Sequence, residues 1–206
     1  MYEEVKVSII TPVFNDEKYI ADTLKSILFQ THSNLEIIVV NDHSNDKSEE
    51  VIKSFNDKRI KLINNDTNMG AAFSRNVALS KATGDYIAFL DGDDIWNKAK
   101  IEKQLAFMIE NNIDFSYTNY EEIDEEGVRT GVLITGPAKI TFSKMKRACY
   151  PGCSTVMFKK SIFPDLSIPS TIKKRNDYAM WLLLSRKATC YLFNETLAFY
   201  RKRINS

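Results

Sequence analysis

Asp91-Gly92-Asp93-Asp94 places three carboxylates within four residues, and it directly follows an apolar run, Tyr86 to Leu90. Carboxylates at the end of a strand can hold Mg²⁺ or Mn²⁺. The ion then bridges a diphosphate and takes up the charge that develops as the diphosphate leaves. The same residues also describe a solvated acidic turn. Three other apolar runs end in polar clusters: TPVFND at 11–16, NDHSND at 41–46 and NNDTNMG at 64–70. Neither GxGxxG nor GxxxxGK[ST] occurs, so a bound nucleotide would need its phosphates countered by something other than a glycine-rich loop. A carboxylate-held cation is one route.

For these clusters to act together, their strands must lie side by side. Val7–Ile10, Leu35–Val40, Ile60–Ile63 and Tyr86–Leu90 read as short buried strands. Between them, apolar residues recur at helical spacing: Ile20, Leu24, Ile27 and Leu28, then Val51, Ile52 and Phe55, then Phe73, Val77 and Ala78. Asn15 or Asp16 is a candidate N-cap for the first helix, and Gly84 closes the third. Strands alternating with helices predict an α/β fold with a parallel sheet, helices on both faces and ligands at the carboxyl ends of the strands. The second half is less regular. It predicts a helix through Ile101, Leu105 and Met108, a strand at Ile113–Tyr117 and a hairpin tip at Glu121–Gly127. Strands at Ser154–Phe158 and Cys190–Phe193 and a helix at Tyr178–Ser185 follow, forming a mixed sheet.

The chain has 206 residues, 44% hydrophobic and 27% charged, which suits one domain with one core and excludes disordered, collagenous and disulfide-stapled classes. Cys149, Cys153 and Cys190 are odd in number, which implies a reducing compartment, and no second Cys/His pair completes a zinc site. The N-terminal MYEEVKVSII carries two acids and does not read as a signal peptide. The longest obvious apolar run, Ala179–Leu184, is far from the ~20 residues that cross a bilayer. A cytoplasmic protein is expected. Charge is divided unevenly: residues 1–127 carry 13 Lys and Arg against 24 Asp and Glu, residues 128–206 carry 15 against three. The basic part either meets an anionic partner or is a solvated surface paired with the acidic part.

Taken in order, SIITPVFND, VVNDHSND, NMGAAFSRN, FLDGDDIW, NDYAMWLLLSRK and ETLAFYRKRINS resemble the family-2 glycosyltransferases, inverting nucleotide-sugar enzymes with the GT-A fold. The resemblance covers essentially the whole chain. It implies a single domain over 1–206, with a Rossmann-like nucleotide-sugar-binding part (1–97) and an acceptor-binding part (98–206). By resemblance, Thr11, Pro12 and Val13 would line the nucleobase pocket, with Asn15 beside them. Asp42 would accept a hydrogen bond from base or ribose. Asn68 and Gly70 would sit by the base and donor sugar, Arg75 would orient the donor, and Asp91 with Gly92 would meet the ribose. Asp93 would bind the divalent cation, Mn²⁺ or Mg²⁺, while Asp94 would turn away to cap the segment containing Trp96.

The family places its catalytic base as an Asp at the start of a helix, followed by an aromatic residue and then Trp. Here that is Asp177, with Asn176 and Trp181 on the acceptor side and Trp181 as an apolar platform for a sugar. Asp177 could equally be a helix N-cap, and Trp181 core packing. Asn176 stands where the family usually has Glu, which bears on sugar preference. Arg203 stands where it often has His, so Arg201 and Arg203 would hold the diphosphate without ligating the metal.

The implied reaction moves a sugar from a nucleotide-diphospho-sugar, UDP-linked by expectation, to a hydroxyl of a glycan or lipid-linked acceptor in surface-polysaccharide assembly. Peripheral contact with the inner membrane face would suit the basic part. A non-catalytic or partner-dependent nucleotide-sugar-binding subunit is the alternative. A nucleotidyltransferase would need glycine and arginine in TPVFNDEKY, and an aspartyl phosphatase would carry its D-x-D after the first strand, not the fourth. Nucleic-acid binding is not expected, because the basic residues are not interleaved with stacking aromatics.

Overall fold

The computed structural model describes residues 2–169, 172 and 174–203. Its first ninety residues alternate strand and helix: β1 (Val7–Val13), α1 (Ile20–Leu28), β2 (Leu35–Asn41), α2 (Ser48–Ser54), β3 (Ile60–Asn64), α3 (Ala71–Lys81) and β4 (Tyr86–Phe89). Then come β5 (Ile95–Trp96), α4 (Lys100–Glu110), β6 (Phe115–Ile123), β7 (Arg129–Ile134), β8 (Lys139–Ile140) and α5 (Phe142–Met145). β9 (Met157–Lys159), α6 (Asn176–Ser185) and β10 (Cys190–Arg201) complete the order. The long apolar runs became fully buried strands, as all seven residues of β1 and of β2 show.

One mixed sheet runs through both halves in the order β3-β2-β1-β4-β9-β6-β10-β5, with β7 added beside β6 and β8 beside β10. β1 lies at the centre of the parallel part, Val7 facing Leu35 of β2 on one side and Tyr86 of β4 on the other. Side chains alternate between the two faces. Ile9, Ile37 and Val39 pack with Ile20, Leu24 and Leu105 on one face, while Ile10, Ile38 and Phe89 pack with Ala78, Met180 and Leu184 on the other.

Three local expectations are corrected. The first helix starts at Ile20, with Tyr19 at its N-cap. Asp16 supports it through its backbone carbonyl, which accepts from the N–H groups of Tyr19 and Ile20 at 2.9 Å. Asn15 caps nothing: its φ of 55° turns the chain, and its side chain accepts from the Asn45 N–H at 3.0 Å. Residues 153–155 form a 3₁₀ turn rather than strand. The acidic turn comes later than expected, because Glu121 to Ile123 stay in β6 and the chain reverses through Asp124, whose carbonyl accepts from Gly127.

At the amino ends of the strands, the almost fully buried Glu36 carboxylate accepts from Ser8 Oγ at 2.6 Å, Lys61 Nζ at 2.6 Å and the Thr83 N–H at 2.8 Å. Burial alone would raise this carboxyl, but Lys61, Ser8 and Thr83 outweigh it and hold the pKa at about 2. A depressed carboxylate contributes stability that is complete above its unfolded value, about 4.3, and lost as pH falls through the folded one. The thermal midpoint is therefore expected to fall between roughly pH 4.3 and 2. Glu36→Gln should flatten that slope, and equal slopes in both proteins would refute the assignment.

Candidate active site

The strand order reverses between β1 and β4, and their carboxyl ends meet there, where open α/β sheets bind ligands. Two adjoining cavities open at this point. One, of about 220 Å³, is lined by Pro12, Val13, Phe14, Asp42, Gly92 and Asp93. The other, of about 450 Å³, is lined by Asp94, Tyr120, Ser154, Asn176, Asp177 and Tyr200. Ala71, Arg75 and Asp91 line both.

In the smaller cavity Asp42, at the end of β2, is buried and ties down the loop that leads into α3. Its carboxylate accepts from Asn65 Nδ2 at 2.7 Å, the Met69 N–H at 2.9 Å and the Gly70 N–H at 2.7 Å. Gly70 permits this turn with φ of 87°, a region that side chains beyond glycine disfavour. Gly92 is needed for space, since a Cβ there would stand 2.5 Å from Asp16 Oδ2. The cavity walls are Pro12 and Val13. Thr11 is fully buried, Asn15 half-buried and Asn68 exposed, and none of the three lines either cavity. Those three lie beside the cleft rather than in it.

Arg75 joins the two cavities. Projecting from α3 with 5% of its surface exposed, it places one guanidinium nitrogen 2.5 Å from Asp91 Oδ1 and another 2.5 Å from Asn176 Oδ1. Burial works against its charge, but the Asp91 carboxylate wins and the guanidinium stays protonated. One ion pair and one hydrogen bond thus connect α3, the end of β4 and the start of α6.

The D-x-D cluster divides into two roles. Asp94 turns inward, as expected, accepting from the Ser154 hydroxyl at 2.5 Å and the Arg201 N–H at 2.9 Å. Burial, with the Asp93 and Asp91 charges, pushes its carboxyl well above the ordinary range. Asp93 faces the cleft. Burial raises it, Arg203 pulls it back, and Asp91 and Asp16 push it up again, leaving it at about 6.

Among the described residues no three His, Cys, Asp or Glu side chains are grouped to hold a metal unaided. The donors present still fit one. Asp93 and Asp91 offer hard carboxylate oxygens at the cavity edge, and Mg²⁺-type ions are often held by one or two carboxylates plus substrate phosphates. Asp93 would be the protein ligand, and here the Arg203 guanidinium lies on it with Nε 2.6 Å from Oδ2, while also pairing with Asp16.

Two expected binding residues are corrected. Arg201 does not reach the cleft as a diphosphate ligand. It is 2% exposed, and its guanidinium donates to the backbone carbonyls of Asp93 (2.8 Å), Asp124 (3.1 Å) and Glu125 (2.7 Å), anchoring the β6–β7 turn. Trp181 offers no platform to a sugar. It is completely buried, edge-on to Phe89 at 5.7 Å and 6.0 Å from Phe115, because the face of α6 it occupies is pressed against the sheet.

Asp177 is in the first turn of α6, on the wall of the larger cavity. Arg175, with φ of 53°, takes the N-cap position. The Asp177 side chain makes no hydrogen bond or ion pair among the described residues, so it is not spent as a cap. Sequence reasoning missed Asp16, Asn65, Tyr120, Ser154 and Tyr200. Asp16 reads in the sequence only as a helix N-cap, Asn65 stands inside a quoted polar cluster with nothing to single it out, and Tyr200 stands next to Arg201.

Residues 8–166 match Glycosyl transferase family 2. The chain is 40% identical over 203 residues to the putative teichuronic acid biosynthesis glycosyltransferase TuaG of Bacillus subtilis, covering 97% of this chain and 80% of TuaG. It is 41% identical over 180 residues to WfgD of Escherichia coli, a UDP-Glc:alpha-D-GlcNAc-diphosphoundecaprenol beta-1,3-glucosyltransferase, covering 87% of this chain and 70% of WfgD. Its backbone is similar to S. aureus TarS 1-349 in complex with UDP, with a TM-score of 0.82 at 22% identity over 96% of this chain and 60% of that one. That likeness establishes the GT-A architecture, the α/β fold with a mixed sheet. With the family model matching most of this chain and two relatives at 40% and 41% identity, the chain is a glycosyltransferase and belongs to Glycosyl transferase family 2.

Proposed function

We propose that the protein transfers a sugar, with inversion, from a UDP-sugar to a hydroxyl of a lipid-linked glycan acceptor. The observation that carries this reading is the pair of cavities joined through Arg75 and Asp91, one at the D-x-D strand end and the other at Asp177. A nucleotide would lie along Pro12 and Val13 with Asp42 near its base or ribose. Arg75 would hold Asp91 in place for the ribose. The donor sugar would then project into the larger cavity. There Asp177 would take the proton of the acceptor hydroxyl as its oxygen attacks the anomeric carbon, and the nucleoside diphosphate would leave from the opposite side. A divalent ion, when bound, would supply charge neutralisation for that diphosphate. Arg203 would be released from Asp93 to face the same phosphates. The names of TuaG and WfgD support a lipid-linked, surface-polysaccharide setting, and the UDP complex of TarS supports the choice of base.

Thermal stabilisation by UDP, GDP, dTDP and CDP, each with Mn²⁺ and with chelator, tests the reading. At about 100 times its dissociation constant a ligand specific to the folded state adds about 2.7 kcal/mol. A shift with UDP that chelator removes is expected. No shift with any nucleotide would overturn the site as drawn and favour a partner-dependent subunit.

A further inference from the structure

Six of the fifteen Lys and Arg after residue 128 lie on or beside β8, α5 and the C-terminal end of α6, and none of the six lines either cavity. Lys139, Lys144, Lys146, Arg147, Arg186 and Lys187 stand there, and none forms an ion pair among the described residues. Four of them instead lie over aromatic rings. Lys146 and Arg186 share Phe142 at 5.2 and 5.5 Å, Lys144 lies 6.0 Å from the Tyr150 ring centre, and Lys139 lies 5.6 Å from that of Tyr191. Acids are scarce in this half: residues 128–206 contain only Asp165, Asp177 and Glu195, and Glu195 pairs with Lys103.

The surface also leads to the site. Lys144 and Lys146 flank Met145, whose carbonyl accepts from Tyr178 of α6 at 2.7 Å, and α6 carries Asp177 at its other end. Its ten residues span about 15 Å. Whatever plane rests on Arg186 and Lys187 therefore lies no more than about 15 Å from the base along that helix.

We infer that this β8–α5–α6 surface docks the protein on an anionic lipid bilayer, placing the Asp177 cavity at the height of a membrane-anchored acceptor. The inference rests on the proposed lipid-linked acceptor for its orientation, but the docking is measurable without any substrate. Cations without an ion pair among the described residues, four of them over aromatic rings and most of them exposed, complement a plane of anionic headgroups, and each is worth about 1 kcal/mol near such a plane.

Co-sedimentation of the whole chain with vesicles of phosphatidylglycerol and phosphatidylcholine in equal parts, and of phosphatidylcholine alone, tests it. Binding to the anionic vesicles only, weakening as salt is added, is expected. Replacing Lys146, Arg147, Arg186 and Lys187 together by Gln should lower the partition coefficient about a hundredfold or more. Replacing Lys18, Lys25, Lys53 and Lys58 by Gln removes the same charge elsewhere and should leave it within a few-fold of the original. Equal losses in the two variants, equal binding to neutral vesicles or no binding at all would overturn the docking surface. So would tighter binding to duplex DNA than to the vesicles at the same salt. Nucleotide-dependent stabilisation, measured on the same variants, reports separately on folding and on the catalytic reading. Its absence with vesicle binding intact would sink the proposed reaction and leave the docking in place.

Discussion

Asp177→Asn is expected to lower kcat by about 10²–10⁴-fold, the usual contribution of a positioned general base, with nucleotide stabilisation unchanged. Asparagine is nearly isosteric, and the Asp177 side chain makes no hydrogen bond or ion pair among the described residues that folding would miss. It also lines the larger cavity and not the smaller one, so the nucleotide would not sense the change. Steady-state kinetics with a saturating donor, beside a nucleotide-binding titration, would check both halves. A variant that keeps more than a tenth of kcat would remove Asp177 from the reaction. Equal loss of nucleotide binding and of rate would make it a donor-binding residue instead.

Asp93→Asn is expected to abolish the chelator-sensitive part of nucleotide stabilisation and to slow turnover by about a thousandfold, since a bound divalent ion supplies several kcal/mol to charge stabilisation. The carboxylate stands in a crowd of like charges, with Asp91 and Asp16 raising it and Arg203 opposing them. Removing its charge frees Arg203 from one carboxylate while its pair with Asp16 remains, so the empty protein should lose little stability. Thermal melts with UDP, run with Mn²⁺ and with chelator, separate the effects. If the variant still shows the full metal-dependent shift, the ion is held elsewhere. If the original protein binds UDP equally well with chelator, Arg203 serves as the cation at this carboxylate.

Much of the fold was legible because its first half states each element twice, once in periodicity and once in the polar residues that end it. LEIIVVN is apolar on both faces because both faces of β2 are covered, and its terminal cluster marks where it stops. β7 gave no such sign. Val132 and Leu133 are half exposed there, so no alternation of burial separates strand from loop. Within the site, residue types were legible and their directions were not. Trp181 has the spacing expected of an acceptor platform, yet helical spacing alone does not say which neighbour a face will meet. Arg201 and Arg203 differ by two positions and divide between a buried anchor and a partner of the cleft carboxylate Asp93 because β10 ends there, a boundary that no residue type marks. Arg75, Asp91 and Asn176 were each singled out, but only the fold makes them one connected unit.

Trp96 makes the cleft visible to light. Its indole N–H donates to the Ser154 carbonyl at 2.6 Å, and the hydroxyl of the same serine holds Asp94 and receives the Asp91 N–H at 3.3 Å. Lys100 Nζ, buried and brought down to about 7 by that burial, sits 4.1 Å above the ring. The chain has one other tryptophan, Trp181, enclosed by Phe89 and Phe115 with its indole nitrogen unpartnered among the described residues. Intrinsic fluorescence thus contains a nearly constant background from Trp181 and a component from Trp96 that is connected through one serine to the carboxylates. Filling the cleft is therefore expected to alter the Trp96 component, a readout that would need no dye, label or coupled assay.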